Sequence, residues 1–413
     1  MGWVEHAIWW HVYPLGMCGA PIREAAAPAP RLRRLLGWLD YAIELGCSGL
    51  LLGPIFASQT HGYDSLDLFR IDPRLGSEAD FTELVDQAHR RGLRVVLDGV
   101  FSHVGDSHPE VLRALREGPG SEAAARFDID WDAPGGPAPR VFEGHSSLVR
   151  FNHSSQATVD YVTSVMQHWL KRGIDGWRLD AAYSVSPDFW AKVTAPVRLA
   201  YPEAWLLGEV LHGDYATFVA DAGIDSVTQY ELWKAIWSSI KDRNLFELDW
   251  TLSRNNDLLS SFVPNTFIGN HDVTRIASQV GSDGAVIALV ILMTVGGIPS
   301  IYYGDEQGFI GVKEERWGGD DDIRPAFPDS PEELSQLGSW LFHIHQDLIG
   351  LRRRNPWLVT STTQMQHLEN ERCSYRSTAA DGSHFLDVEI DLSGTPTASI
   401  KDESHIEVWH RSF

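Results

Sequence analysis

The chain has 413 residues, with 56 Asp and Glu against 34 Lys and Arg, which gives a formal net charge of -22 at pH 7. Proteins that bind nucleic acids or anionic membranes need clustered positive charge, so this acidic balance argues against both as partners. With 43% apolar residues the chain can bury a large core, and its length allows one large barrel or several smaller domains. An uncharged ligand fits this composition best.

Neither a membrane span nor an export signal is predicted. The longest apolar run, Ala285 to Val295, is much shorter than the roughly 20 residues that a membrane helix needs, so we expect a buried core helix there. The N-terminus lacks the basic segment and apolar stretch of a secretory signal, which predicts a cytoplasmic protein. The cysteines Cys18, Cys47 and Cys373 show no disulfide or metal-binding spacing, and we expect buried free thiols.

Short apolar runs alternate with helical patterns through most of the chain. Such alternation is typical of a parallel sheet with helices packed outside it. One helix is signalled in full between Ser77 and Gly92, with a capping residue, an acid three residues later and an apolar stripe. Eight runs are interpreted as strands: Ala7 to Tyr13, Ser48 to Leu52, Leu93 to Leu97, Ile174 to Leu179, Ala204 to Leu207, Ser226 to Tyr230, Thr266 to Gly269 and Ser300 to Tyr303.

Eight strands with intervening helices predict an α/β fold of the TIM-barrel type, (β/α)8. Its active site is built at the carboxyl ends of the strands. An open doubly wound sheet is the alternative, but no Gly-rich phosphate-binding loop follows the first strand.

Two segments depart from the alternation. After the third strand, residues 104–150 are rich in Gly and Pro with little periodicity, which predicts a small inserted domain. From about residue 356, short strand-like runs are separated by polar turns, which predicts a C-terminal all-β domain. The predicted domains are the barrel at 1–103 and 151–355, the insertion at 104–150 and the β domain at 356–413.

Four acidic residues follow predicted barrel strands. Asp98, Asp180, Glu209 and Asp272 end the third, fourth, fifth and seventh strands, so they share the barrel mouth. A single Asp at such a place often caps a helix. Four together favour glycoside hydrolysis, which uses one carboxylate as nucleophile and one carboxylic acid to protonate the leaving oxygen.

The segments around these acids resemble the four signature regions of the α-amylase superfamily, glycoside hydrolase family 13. Their order and spacing match: Asp98 to His103, Gly176 to Asp180, Gly208 to Val210 and Gly269 to Asp272. His61 to Asp64 and Gly297 to Glu306 add to the resemblance. The segment Leu148 to His153 is similar to the branch of cyclomaltodextrinases, neopullulanases and maltogenic amylases, and the chain overall is similar to enzymes that cleave cyclic α-maltosyl-(1→6)-maltose.

The resemblance implies a role for each matching residue. Asp180 would be the nucleophile, kept ionised by Arg178, which lies two residues earlier on the same strand face. Glu209 would be the general acid and then the general base, and Asp272 would bind hydroxyls of the distorted sugar ring. The substrate-binding residues implied by the resemblance are Tyr63, Asp64, Asp98, His103, Arg178, His271 and Arg324.

We predict neither a metal nor another cofactor. Many α-amylases have Asn at the position of Ser102, where it helps to hold a structural calcium ion. A serine hydroxyl is a poor substitute for an amide carbonyl in an oxygen cage, so calcium is not expected at this place.

The predicted function is that of a retaining glycoside hydrolase. Its substrates would be short, cyclic or branched maltooligosaccharides with α-1,4 and/or α-1,6 glucosidic bonds. An α-glucanotransferase shares all these residues and is one alternative; a catalytically inactive binding subunit is the other. We expect an oligosaccharide as ligand and a homodimer as assembly, because homodimers are the commonest closed oligomers.

Overall fold

The computed structural model describes residues 2–24 and 26–412. The predicted domain limits at Met1 and Phe413 lie outside these described residues. Within them, the strands in chain order are β1 (Trp9–Val12), β2 (Gly49–Leu52), β3 (Phe56–Ser58), β4 (Ser65–Ile71), β5 (Arg94–Val100), β6 (His103–Gly105), β7 (Ile129–Asp130), β8 (Ala138–Pro139), β9 (Val141–Phe142), β10 (His145–Arg150), β11 (Gly176–Asp180), β12 (Trp205–Gly208), β13 (Ser226–Val227), β14 (Asn265–Phe267), β15 (Ile298–Tyr302), β16 (Thr362–Leu368), β17 (Arg372–Thr378), β18 (Phe385–Asp391), β19 (Thr397–Lys401) and β20 (Glu407–Ser412).

The α-helices lie mostly between the strands. In chain order they are α1 (Pro14–Met17), α2 (Leu39–Leu45), α3 (Glu78–Arg90), α4 (Pro109–Glu117), α5 (Gln156–Lys171), α6 (Pro187–Ala200), α7 (Tyr215–Ala222), α8 (Tyr230–Lys241), α9 (Phe246–Leu259), α10 (Ile276–Thr294) and α11 (Ser339–Arg354). The helix signalled in the sequence between Ser77 and Gly92 is α3, and its N-terminus carries a capping box formed by Ser77 and Asp80.

Eight strands form one parallel sheet in the order β13, β12, β11, β5, β2, β1, β15, β14. A parallel bridge between Thr228 and Asn265 joins the two outer strands, so the sheet closes on itself. Each barrel strand overlaps one of the eight predicted apolar runs. The predicted (β/α)8 barrel is confirmed.

The sixth barrel strand is shorter than predicted. The apolar run extended to Tyr230, but β13 ends at Val227 and Tyr230 begins α8. Thr228 follows the strand and its hydroxyl accepts a hydrogen bond from the backbone N–H of Val210 at 3.1 Å. The chain enters α8 at Tyr230, which lies at the barrel mouth.

Helix α10 contains the longest apolar run of the sequence. By length and composition alone it is the one helix among the described residues that could cross a membrane. Its residues from Gly284 to Thr294 are all buried, and it packs between α8 and α11. The prediction of a buried core helix is confirmed.

The segment between β5 and α5 leaves the barrel and packs on itself. Strands β6, β10 and β9 form a three-stranded antiparallel sheet, whose pairing begins with His103 opposite Arg150. A separate cluster of buried apolar side chains, including Val104, Phe127 and Phe151, lies beneath it. This sheet places β9 and β10 next to the carboxyl ends of the barrel strands.

The C-terminal part is a five-stranded antiparallel sheet in the order β16 to β20. It follows α11 and packs its buried face against α9 and α10. The predicted all-β character of this region is confirmed. Cys18, Cys47 and Cys373 are all buried and free, as predicted.

Candidate active site

Acidic and basic side chains converge at the carboxyl ends of neighbouring barrel strands. Asp98 lies near the end of β5, Arg178 and Asp180 lie at the end of β11, and Glu209 directly follows β12. The parallel register sets Arg178 beside Asp98. Asp272 joins them from the loop after β14. Strand order alone therefore brings together residues that are far apart in the sequence.

Arg178 is the centre of this group. Its Nη1 donates to both oxygens of Asp98, at 2.7 and 2.6 Å, and to Oδ1 of Asp180 at 3.2 Å. Its Nη2 lies 2.8 Å from Oε1 of Glu209. The guanidinium is 3% exposed, so one buried cation links three buried carboxyl groups. This arrangement fixes the relative positions of Asp180 and Glu209.

Opposing effects act on the pKa of Asp180. We expected Arg178 to keep this carboxyl ionised, and Arg178 does lower its pKa. Burial and the negative charge of Glu209 have the opposite effect and outweigh it, so the pKa of Asp180 lies well above its usual value. The sequence prediction considered Arg178 alone, and the structure adds burial and the neighbouring carboxyl groups that oppose its effect.

Glu209 is held by contacts on both of its oxygens. Oε2 accepts a hydrogen bond from the backbone N–H of Ala181 at 2.9 Å. Oε1 accepts one from the hydroxyl of Tyr230 at 3.1 Å, and that hydroxyl accepts in turn from the amide of Asn270 at 2.9 Å. The sequence analysis assigned no role to Tyr230 or Asn270. Only their positions in the sequence could have indicated a role in the site, because each residue follows a barrel strand at its carboxyl end.

Asp272 has the opposite electrostatic environment. Its burial alone would raise its pKa, but His271 and Arg324 more than offset this, so the pKa of Asp272 lies well below its usual value. Nε2 of His271 lies 2.9 Å from Oδ2 of Asp272, and Nη2 of Arg324 donates to Oδ1 at 2.9 Å. The structure thus places two of the predicted substrate-binding residues, His271 and Arg324, against this carboxylate, which stays ionised.

His271 also connects Asp272 to the aromatic floor of the site. The Tyr63 ring stacks on the His271 ring with centroids 5.4 Å apart, and the Tyr63 hydroxyl donates to Oδ2 of Asp98 at 3.1 Å. On its other side, Nδ1 of His271 lies 3.1 Å from Nε2 of His11, a residue that the sequence analysis did not single out. Tyr63 therefore presents a fixed ring to the cavity.

His103 is placed at the site with both of its ring nitrogens engaged. Nε2 donates to the carbonyl oxygen of Tyr63 at 2.9 Å, and Nδ1 lies 2.8 Å from the hydroxyl of Ser102. Burial lowers the pKa of His103 to about 4, so the ring is neutral near pH 7. A sugar hydroxyl would have to share or replace the contact with Tyr63.

The surroundings of Ser102 do not fit a calcium cage. Its hydroxyl is buried and bonded to His103, so it does not point toward a group of free oxygens. Within residues 2–24 and 26–412, no three His, Cys, Asp or Glu side chains are grouped so that they could hold a metal ion. Calcium needs six to eight oxygen ligands, and the hydroxyl of Ser102 is already engaged by His103.

Asp64 is a predicted binding residue that does not line the cavity beside the acids, and the same holds for Asp98, Arg178, His271 and Arg324. Oδ1 of Asp64 accepts from the backbone N–H of Thr60 at 3.0 Å and its Oδ2 accepts from the hydroxyl of Thr60 at 2.5 Å. The carboxylate is buried in its own loop. Its evident contribution is to the shape of the loop that carries Tyr63.

The acids open into a cavity of about 360 Å³ at the barrel mouth. The inserted segment supplies one wall and the barrel loops supply the rest. The lining includes Tyr63, His103, Phe142, Glu143, His145, Asp180, Tyr183, Glu209, Tyr230, Asp272 and Lys313. A second cavity of about 610 Å³ lies beside it, and Arg324, which contacts Asp272, lines that one together with Tyr13, Arg23, His61 and Asp320.

Comparisons with known proteins agree with this geometry. The family model described as the alpha-amylase catalytic domain matches residues 32–131 and 141–336. The chain is 29% identical to the maltogenic alpha-amylase of Bacillus acidopullulyticus over 386 residues, which are 86% of this chain and 64% of that protein. It is 30% identical to neopullulanase 2 of Thermoactinomyces vulgaris over 357 residues, which are 83% of this chain and 59% of that protein. It thus spans less than two thirds of the length of either relative.

A solved structure shares the whole architecture. The cyclic alpha-maltosyl-(1→6)-maltose hydrolase of Arthrobacter globiformis, in complex with cyclic alpha-maltosyl-(1→6)-maltose, matches with a TM-score of 0.81. The match covers 94% of this chain and 91% of that one, at 23% sequence identity. At this identity the likeness establishes the fold.

Proposed function

Because this chain belongs to the alpha-amylase catalytic-domain family, we propose that it is a retaining glycoside hydrolase. Its substrates are short, cyclic or branched maltooligosaccharides, in which it cleaves α-1,4 and/or α-1,6 glucosidic bonds. One observation carries the proposal: a single buried guanidinium, that of Arg178, holds the carboxyl groups of Asp180 and Glu209 beside a cavity that also contains Asp272. Two adjacent carboxyl groups are what a double displacement requires.

In the first step, Asp180 attacks the anomeric carbon while Glu209 gives its proton to the glycosidic oxygen. The bond between anomeric carbon and oxygen breaks, the leaving sugar departs with a new hydroxyl, and a glycosyl ester of Asp180 remains. In the second step, Glu209 takes a proton from water and the water oxygen displaces Asp180 from the same carbon. Two inversions give net retention.

The contacts around the two acids support these roles. Tyr230 and the backbone N–H of Ala181 hold the two oxygens of Glu209 so that the carboxyl faces the cavity. Asp272, kept ionised by His271 and Arg324, can accept hydrogen bonds from sugar hydroxyls as positive charge develops at the anomeric centre. Tyr63 offers an aromatic face on which a sugar ring can stack.

Product analysis tests the proposal. The protein would be incubated with cyclodextrin, pullulan, panose and cyclic α-maltosyl-(1→6)-maltose, and the products separated by chromatography. We expect glucose, maltose and other short linear fragments from panose and the two cyclic substrates. From pullulan we expect panose-type fragments. Products longer than the substrate would identify a glucanotransferase. No product from any of the four, with a protein that is folded by circular dichroism, would overturn the proposal in favour of a binding subunit.

We also propose that the enzyme acts in the cytoplasm. The three cysteines are buried, free thiols, which suits a reducing compartment. Cell fractionation of the source organism tests this, and recovery of the activity from the culture medium would contradict it.

A further inference from the structure

The inserted segment reaches the catalytic cavity with a tight hairpin. Strands β9 and β10 are joined by Glu143 and Gly144, which have φ angles of 47° and 82°. Positive φ at both loop residues is typical of a type I′ turn, where Asn-Gly is the usual sequence. Glutamate at the first position is uncommon in this conformation, and local backbone strain of this kind often accompanies function.

The glutamate contacts a tyrosine on the barrel side of the cavity. The hydroxyl of Tyr183 donates to Oε1 of Glu143 at 2.9 Å, and both side chains line the cavity that holds the acids. Phe142, the residue before the turn, stacks on the ring of His103 with centroids 4.3 Å apart. The hairpin tip is therefore attached to the barrel at two points.

Tyr183 is also hydrogen-bonded to Glu209, the proposed general acid. Its backbone N–H donates to the carbonyl oxygen of Glu209 at 3.2 Å. Ala181, which precedes it by two residues, has a φ of 44° and donates to the Glu209 carboxylate. Only four residues other than glycine have a positive φ in the described part of the chain, and two of them, Glu143 and Ala181, flank this contact.

The role of Glu209 indicates which part of the substrate lies next to the hydrogen bond between Tyr183 and Glu143. The acid protonates the glycosidic oxygen, so the leaving part of the sugar chain lies on its side of the cavity. Arg324 and the second cavity lie on the side of Asp272. Tyr183 and Glu143 therefore stand beside the path of the leaving group.

We propose that the hydrogen bond between Glu143 and Tyr183 closes the leaving-group end of the cavity and, in linear substrates, selects cleavage sites whose leaving group is one or two sugar units. The inference rests on the proposed function and specifies the substrate range of the same site. At about 360 Å³ the cavity is near the lower limit of ordinary ligand pockets, about 300 to 1,000 Å³. A longer leaving group must break the hydrogen bond to pass.

The hydrogen bond between Glu143 and Tyr183 is able to open. Glu143 is exposed and Tyr183 is half-buried, so water can replace either partner. Burial and the neighbouring Glu143 carboxylate raise the pKa of Tyr183, which keeps its hydroxyl protonated and able to donate near neutral pH. One such hydrogen bond has an ordinary net strength, which corresponds to a discrimination of about fivefold between short and long leaving groups.

The experiment measures where one substrate is cut. Maltoheptaose labelled at its reducing end carries the label in the leaving group, so the labelled products report leaving-group length directly. For the wild type we expect the label mainly in glucose and maltose. For Tyr183→Phe and for Glu143→Ala we expect the ratio of labelled fragments of three or more units to shorter ones to rise about fivefold. Measured at low conversion, before labelled fragments are cut a second time, the ratio is internal to one reaction and does not depend on total activity.

Two controls separate the contact from general damage. Glu143→Gln keeps an acceptor oxygen for Tyr183 and should restore the wild-type ratio. Tyr201→Phe makes the same chemical change between α6 and β12, at the opposite end of the barrel strands, and should not alter the ratio. An unchanged ratio in both Tyr183→Phe and Glu143→Ala would overturn the inference, as would long labelled fragments from the wild type. A folded wild type that cleaves no α-glucan would overturn the proposed function itself.

Discussion

The site depends on how one arginine is shared. Arg178 contacts Asp98, Asp180 and Glu209 at once, so the positive charge available to each carboxylate is less than a simple pair would provide. Burial and the neighbouring Glu209 raise the pKa of Asp180 despite this cation, and Asp272, with its own partners His271 and Arg324, has a lowered pKa. Neighbouring carboxyl groups with opposite shifts are a common feature of acid–base sites.

The first prediction concerns the two proposed catalytic acids. Asp180→Asn and Glu209→Gln should each lower kcat by about 10³-fold or more, because one removes the nucleophile and the other the proton donor. Steady-state kinetics on panose would measure this. Asp86→Asn and Glu122→Gln, both on the exposed surface, make the same chemical changes as controls and should keep wild-type rates. Near-normal turnover in either catalytic variant would refute its assigned role.

Single residues were predictable where a motif carried them. The sequence analysis expected Asp98, Arg178, Asp180, Glu209, His271 and Asp272 to converge, and the structure brings them together. Tyr230 and Glu143 were missed because their importance comes from what they contact across the barrel mouth. Neither a periodicity nor a motif encodes such a contact, and Tyr230 was interpreted as the end of a strand.

At the scale of elements, two buried carboxyl groups lie in a short 3-10 helix, Asp305–Gln307, that follows β15. Burial raises the pKa of Asp305 to about 6, although Arg275 opposes the shift, and burial raises the pKa of Glu306 to about 7. Glu306 accepts hydrogen bonds from the hydroxyl of Tyr41 on α2 and from the backbone N–H of Gly304. These contacts connect α2 with the end of the last barrel strand.

The second prediction follows from the Glu306 shift. Between about pH 4.5 and 7 the folded protein holds a proton on Glu306 that the unfolded chain releases, so the free energy of unfolding should fall as pH rises through this range. The upper bound is about 3 kcal/mol. Denaturant titrations at several pH values would measure it. In Glu306→Gln the dependence should be flatter than in the exposed control Glu122→Gln, whatever the absolute stability, and equal slopes would contradict the assignment.

Element types were predictable because their patterns are local. The capping box of α3 and the apolar runs of the eight barrel strands depend on neighbouring residues, and all of them are found in the structure. The end of β13 was not predictable, because no Gly or Pro separates the strand from the start of α8 at Tyr230. Domain limits at residues 103, 150 and 355 stay predictions.

For the whole molecule, the third prediction is that activity survives chelation. Ser102 bonds to His103, and the described residues contain no group of metal-binding side chains. Dialysis against EDTA should therefore leave the rate on panose and the melting temperature unchanged. Loss of activity that calcium restores would show that a cage exists which the side-chain arrangement does not suggest.

The fourth prediction concerns assembly. We expect a homodimer, because closed twofold assemblies are the commonest among soluble enzymes. Light scattering at micromolar concentration should give twice the mass of the chain. A mass equal to that of one chain, constant over a tenfold range of concentration, would contradict it.

The fifth prediction addresses the central claim, that a retaining mechanism proceeds through Asp180. A 5-fluoro-α-glucosyl fluoride is expected to form the glycosyl ester quickly and to release it slowly, so that the intermediate accumulates. Peptide mass spectrometry of the digested protein should then find one added fluoroglucosyl group on Asp180, and none in Asp180→Asn. A label on another residue, or no label on a wild-type protein that cleaves panose, would contradict the mechanism.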